Sequence, residues 1–199
     1  CVLVNSTDMN EALYVTCQPS KSCGAGCSFS YDYYKKQGRV GNEPKIGAQI
    51  FFGTGKKPTH TGIVVDSAGH LLVVHAVPGE RMSEDEPDRV KADAPEVCFG
   101  GMRAAIGAVA RCTDSVVATK AARAAWQVYQ RGTLFDHAYD DTDTVQMYCT
   151  ELVEHAYKAA GLSLVGQQRH EVQLPGLHSR CIFPSDVFRS PDLSIVKTF

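Results

Sequence analysis

The sequence lacks the features that mark membrane-spanning and nucleic-acid-binding proteins. No apolar run in its 199 residues approaches the roughly 18 to 20 that cross a bilayer. It has no dense Lys/Arg tract, and its formal charge of −2 gives no broad cationic field. A hydrophobic content of 44% and a charged content of 21% are ordinary for a globular domain. We therefore expect one soluble domain over residues 1–199 that does not bind nucleic acid.

Paired C-x2-C zinc hooks are also missing, although the chain has eight cysteines. Cys17, Cys23 and Cys27 follow a C-x5-C-x3-C spacing inside residues 1–44, which we interpret as a cysteine-rich N-terminal extension. Eight cysteines favour an oxidising compartment, so we expect structural disulfides in this cluster, with a metal site as the alternative. The predicted location is extracytoplasmic: secreted, periplasmic or anchored to the cell envelope.

A starting methionine is absent as well, since the first residue is Cys1. This indicates a processed or trimmed chain. A mature bacterial lipoprotein also begins with cysteine, so a lipidated Cys1 is the one route of membrane attachment that we expect. Trimming of a longer chain leaves the same end.

Three short apolar runs are present between residues 45 and 77, namely KIGAQIFFG, HTGIVVD and HLLVVHAV. Their Gly and Pro boundaries predict consecutive strands of an antiparallel sheet, with a tight hairpin at DSAG. Residues 79–95 are charged and contain two prolines, which predicts a surface loop. Residues 104–112, AAIGAVARC, predict a further strand.

Two amphipathic patterns predict helices. The first has a cap at Asp114 or Ser115 and ends at Gly132. The second lies in MYCTELVEHAYKAAG, residues 147–161, and starts near either Asp143 or Met147. The tail is predicted to form short extended pieces between prolines. Together these elements indicate an α+β fold with a central antiparallel sheet packed against helices.

The second helix carries Cys149 near its start, where exposed N–H groups favour a thiolate. A nearby imidazole can take the thiol proton. His60 opens one predicted strand and His75 closes the next, so a hairpin makes them neighbours, one as base and one orienting it. A strand histidine alone is more often structural, and a cysteine among eight is more often bridged or in the core. The combination favours catalysis.

In this chain the histidine strands come before the cysteine helix. With that order, the motifs resemble the circularly permuted branch of the NlpC-type papain-like cysteine hydrolases, which contains the YiiX-like proteins and the lecithin retinol acyltransferase group. KIGAQIFFGTGKKPTHTGIVVD resembles that branch's G-D-I-I-F-F…H-x-G-I strand pair, and MYCTELVEHAYKAAG resembles its Y-C-S-E-L-V nucleophile helix. FPSDVFRSPDL is similar to its closing P-S-D-L…S-P-D-L segment. The resemblance covers about residues 45–77 and 130–196.

The resemblance implies a papain-like fold with Cys149 as nucleophile, His60 as general base and His75 as the residue that orients it. It also implies that Tyr148 lines the substrate pocket and that no metal or organic cofactor is used. His75 stands where YiiX-like relatives usually have an acidic residue, whereas the acyltransferase group resembles this chain in having a second histidine there. Ala48 replaces the family's usual aspartate.

The resemblance further implies a cysteine peptidase or amidase of the cell envelope. A peptidoglycan stem peptide is the first substrate expected and a lipid or N-acyl amide the second. One alternative is an acyltransferase with the same site. Another is a disulfide-stapled, non-catalytic binding module in which Cys149 is bridged. Cys27, in GCSFSYDYYKKQG, is the rival nucleophile because that stretch resembles the unpermuted nucleophile helix.

Overall fold

A computed structural model describes residues 49–53, 58–79, 85–95, 106–142, 144–174 and 177–198. The predictions for residues 1–44 lie outside these ranges, and so does Ala48. The described elements run in chain order as β1 Gln49–Gly53, β2 Pro58–Ser67, β3 His70–Ala76, β4 Val90–Asp93, β5 Ile106–Cys112, α1 Ser115–Gln130, β6 Leu134–Phe135, β7 Gln146–Met147, α2 Cys149–Ala159, β8 His170–Leu174, β9 Leu177–Cys181, α3 Pro184–Phe188 and β10 Leu193–Thr198.

A six-stranded sheet with the order β10-β5-β1-β2-β3-β4 forms the centre of the described fold. Every neighbouring pair in it is antiparallel. The predicted hairpin between β2 and β3 is confirmed: Ser67 pairs with His70 at the turn and Gly62 pairs with His75. The α+β class predicted from the sequence is also confirmed.

The prediction of a surface loop over residues 79–95 was wrong at its C-terminal end. Val90–Asp93 forms β4, which pairs with β3 at the edge of the sheet. Only Val90 of this strand is buried, so its sequence, VKAD, carries almost no apolar pattern. Backbone pairing with β3, rather than side-chain burial, defines this edge strand.

The tail also differs from the predicted run of extended pieces. Pro184 begins the short helix α3, because proline lacks the N–H that a first helical residue leaves unpaired. Before it, β8 and β9 form a separate two-stranded antiparallel hairpin.

Helices α1 and α2 pack against each other and against β2. The Asp114 carboxylate caps α1, accepting hydrogen bonds from the backbone N–H groups of Val116 and Val117 at 2.8 and 3.1 Å. Four alanines and Val128 form the buried face of α1, and these small side chains let α1 approach the core closely. No helix in the described ranges has the length and apolar character that crossing a bilayer requires.

Gly62 allows the close approach of β2 and β3 beside the histidines. A Cβ atom there would lie 2.9 Å from Val73 Cγ1, 3.0 Å from His75 Cβ and 3.1 Å from the Val74 carbonyl oxygen. We predict that Gly62→Ala lowers the free energy of unfolding by about 1 to 3 kcal/mol, because this overpacks a buried contact. Urea denaturation measures the change, with Ser67→Ala in the same hairpin as control. Unchanged stability of Gly62→Ala would contradict this tight packing.

Candidate active site

Two histidines lie side by side on adjacent strands, as the sequence predicted. His75 pairs across the ladder with Gly62, and His60 lies two residues before Gly62, so strand alternation places both rings on one face of the sheet. His60 Nε2 lies 3.0 Å from His75 Nδ1, and the two rings meet edge to face at 70°. His75 is buried, with 1% of its surface exposed.

Asp93, which sequence reasoning missed, extends this pair into a chain of three side chains. Its Oδ2 atom lies 3.1 Å from His75 Nε2. Lys91 is the direct ladder partner of His75, and Asp93 lies two residues further along β4, on the same face. The alternation of Lys91 and Asp93 would have indicated this contact, but only once β4 had been recognised as a strand.

With Asp93 ionised and both rings neutral, the two contacts fix which nitrogen of each ring carries the proton. The ionised Asp93 carboxylate accepts a hydrogen bond from His75 Nε2–H. The Nδ1 atom of a neutral His75 then carries a lone pair, so it accepts a hydrogen bond from His60 Nε2–H. His60 Nδ1 is left unprotonated in this arrangement. It is the ring atom that can serve as a base.

Cys149 occupies the first position of α2, with Tyr148 as the N-cap residue. This settles the helix start in favour of the later of the two predicted positions and puts the thiol in the first turn, where the helix dipole acts. The thiol also lies near β2, because the backbone of Thr61 is close enough to favour the thiolate. Thr61 directly follows His60. The structure therefore brings Cys149 to the segment of β2 that carries His60.

Burial and hydrogen bonding act on the thiol in opposite directions. Burial raises the pKa of the Cys149 thiol above its ordinary value and outweighs the backbone N–H groups of Thr61, Thr150 and Cys149, which favour the thiolate. The thiol is therefore neutral until a base takes its proton. Cys149 is a free cysteine and is partly exposed.

Tyr148 anchors the start of α2. Its buried hydroxyl accepts a hydrogen bond from the Ile182 backbone N–H at 2.8 Å. Burial raises the pKa of Tyr148, so the phenol stays neutral. The backbone N–H of Tyr148 donates to the Glu151 carboxylate at 3.3 Å, which closes the first turn. Glu151 is therefore a buried structural residue.

A cavity of about 260 Å³ lies beside the thiol. Tyr148 lines it, as expected of a pocket residue. Apart from Tyr148 and Cys149, sequence reasoning did not single out the residues that line this cavity, since most of them come from distant segments. This Cys149 cavity is lined by Tyr139, Tyr148, Cys149, Thr150, Val172, Ser179, Cys181, Ile182, Phe183 and Pro184.

The remaining described histidines and cysteines lie outside this arrangement or at its margin. His70 is exposed at the hairpin turn, as predicted. His170 stacks on Phe183, and its Nε2 atom lies 2.9 Å from Asp186 Oδ2. Cys112 and Cys181 are free and buried, and burial raises the pKa of both thiols. Neither lies in the first turn of a helix, so Cys149 is the best placed of the three for nucleophilic attack.

Comparison with solved structures gives an informative match. No protein-family model matches the chain, and no curated protein matches it. The crystal structure of YiiX from Escherichia coli O157:H7, described as a DUF1105 metalloprotein, matches with a TM-score of 0.55 at 20% sequence identity. The match covers 73% of this chain and 86% of the YiiX chain. This likeness shows that the chain has a YiiX-like fold.

The described residues do not fit a bound metal of the kind that YiiX's description names. In the ranges that the structure covers, no three His, Cys, Asp or Glu side chains form a group that could hold an ion. His60 Nε2 and His75 Nδ1 are 3.0 Å apart, so these nitrogens are used in a hydrogen bond with each other. The chemistry proposed below uses no metal.

Proposed function

We propose that this protein is a cysteine hydrolase with a circularly permuted, NlpC-type papain-like fold. Cys149 is its nucleophile, His60 its general base and His75 the residue that orients the base. One observation supports this most strongly. A hydrogen-bonded chain from Asp93 through His75 to His60 ends next to Thr61, whose backbone favours the thiolate of a free cysteine at a helix start.

In the first step, the Cys149 sulfur attacks a substrate carbonyl carbon as its proton passes to His60 Nδ1. The imidazolium formed at His60 donates from Nε2 to His75, whose other nitrogen faces the Asp93 carboxylate. This partly buried negative charge stabilises the positive charge on the ring pair. The base is needed because burial raises the pKa of the Cys149 thiol.

The oxyanion that forms on the carbonyl needs hydrogen-bond donors that are already in place. The backbone N–H groups in the first turn of α2, such as that of Cys149, provide one set. The Tyr139 phenol is a second candidate. Its pKa is raised, first by burial and then by the charge of Cys149, so it is close to the thiol and remains a neutral donor.

In the second step, the His60 imidazolium protonates the leaving amine and the acyl group remains on the sulfur as a thioester. His60 then takes a proton from water as the water oxygen attacks the thioester carbonyl. The C–S bond breaks to release the acid, and the proton on His60 returns to the Cys149 sulfur. If an amine or alcohol replaces water, the same site acts as an acyltransferase.

The sequence supports a proposal for the substrate class and the cellular location. We propose an amide of the cell envelope, with a peptidoglycan stem peptide or an N-acyl amide as substrate, because the eight cysteines favour an oxidising compartment.

Trapping the acyl-enzyme tests the proposal. The protein is mixed with an activated acyl ester and quenched in acid, and intact-mass measurement with peptide mapping locates the acyl group. We expect a thioester on Cys149 that disappears with time. Product analysis with and without an added amine separates the hydrolase from the transferase. If no adduct forms on Cys149, the non-catalytic binding module is favoured.

Asp93→Asn tests the hydrogen-bonded chain apart from the nucleophile. Loss of the negative charge weakens the hold on the His75 proton, so we predict about a 10²-fold fall in kcat, at the lower end of what general base catalysis contributes. Asp85→Asn makes the same chemical change at an exposed carboxylate and should leave kcat unchanged. A change of less than twofold for Asp93→Asn would mean that Asp93 is not coupled to the base.

A further inference from the structure

One wall of the Cys149 cavity is a face of the β8–β9 hairpin. Val172 and Ser179 are direct ladder partners, and Cys181 lies two residues beyond Ser179, so strand alternation places the three side chains on one face. Phe183 and Tyr139 add aromatic surface. Of the described residues that line the cavity, none carries a charged side chain.

Ser179 presents an unused hydroxyl in this apolar wall. The residue is buried, with 3% of its surface exposed, and its Oγ atom has no hydrogen-bond partner among the described residues. Burying a hydroxyl without a partner is unfavourable, so a polar atom of a bound ligand that pairs with it is stabilised. Tyr148, by contrast, already uses its hydroxyl on Ile182.

The size of the cavity limits what it can hold. Its volume of about 260 Å³ lies just below the roughly 300 to 1,000 Å³ typical of drug-sized ligand pockets. A short acyl chain or a single side chain fits this space. A carboxylate on that chain would lose its water with no cation from the described lining residues to replace it.

We propose that the Cys149 cavity binds the acyl side of the substrate, and that this acyl group is short, uncharged and mainly apolar, with one polar substituent that pairs with Ser179. This inference rests on the proposed function for the position of the acyl carbon at Cys149. Of the substrates considered above, it favours amides whose acyl group is small and neutral over amides whose acyl group carries a carboxylate. Ser179 then determines specificity.

Three 4-nitrophenyl esters test the preference: butyrate, 3-hydroxybutyrate and the charged hemisuccinate. We expect kcat/KM to be highest for the hydroxybutyrate and lowest for the hemisuccinate. Ser179→Ala should lower kcat/KM for the hydroxybutyrate by roughly 3- to 10-fold and leave the butyrate unchanged or slightly faster. Ser67→Ala, at the distant β2–β3 turn, is the matched control. Equal losses for both esters, or a preference for the hemisuccinate, would overturn the proposal.

Binding without turnover separates this inference from the proposed function. Ligand-observed NMR on Cys149→Ala, with the N-methylamides of the same three acids, measures occupancy of the cavity. We expect the hydroxybutyramide to bind most tightly and the succinamide most weakly, and the preference for the hydroxyamide to be lost in Cys149→Ala/Ser179→Ala. These results support the inference even if the wild type cleaves no ester. Ester cleavage by Cys149 together with the absence of any such order refutes the inference and leaves the hydrolase intact.

Discussion

Cys149→Ala is expected to lower kcat/KM for an activated ester by about 10⁴-fold or more, because covalent catalysis loses its nucleophile. The fold should persist, since the thiol is partly exposed and alanine is favourable in a helix. Cys112→Ala removes a buried thiol that does not line the Cys149 cavity, and it should retain activity. Ester hydrolysis with both purified variants, after a thermal melt of each, measures the effect.

If Cys27 is the nucleophile, the two cysteine variants should behave in the opposite way. If Cys149→Ala keeps full activity and Cys27→Ala loses it, the permuted assignment is wrong. Retention of activity in both variants would show that the esterase activity is not due to either thiol.

His60→Ala is expected to lower kcat by about 10³-fold, within the range that a positioned general base contributes. The thiol remains, but burial raises its pKa and no ring is left to take its proton. Added imidazole should restore part of the activity, because it can enter the space that the ring vacates. His70→Ala, an exposed histidine at the turn of the same hairpin, is the matched control. Loss of activity that imidazole does not restore, together with a lower melting temperature, would indicate a structural role for His60.

The histidine pair could be predicted because its geometry is local. Short apolar runs in β2 and β3, and a Gly-containing turn between Ser67 and His70, fix the register of the hairpin. Once the register is known, His60 and His75 have to be neighbours on one face. Only short-range sequence patterns are needed for this step.

Asp93 could not be found in the same way. The four residues of β4 are an edge strand with one buried side chain, and their position depends on backbone pairing with β3 rather than on a pattern of their own. Their charge and the nearby prolines predict a loop. The long-range pairing decides the structure here.

The sequence alone also could not predict the exact start of α2 or the residues that line the Cys149 cavity, for a related reason. Tyr148 is held in an extended conformation while its hydroxyl accepts a hydrogen bond from Ile182, 34 residues away, and this contact places Cys149 at the first helical position. Ser179 comes from a hairpin whose strands have no strong apolar alternation. Such contacts between distant segments are not visible in a local pattern.

The pH dependence of alkylation at Cys149 tests the account most directly. Wild-type protein and His60→Ala are treated with iodoacetamide across a pH series, and peptide mapping follows the Cys149 adduct. We predict that wild-type Cys149 reacts below about pH 7, since His60 takes its proton, whereas Cys149 in the variant reacts only above the ordinary thiol pKa of about 8.5, because burial raises it. The same pH dependence in both proteins, or a Cys149 that is bridged and does not react, would contradict the catalytic assignment.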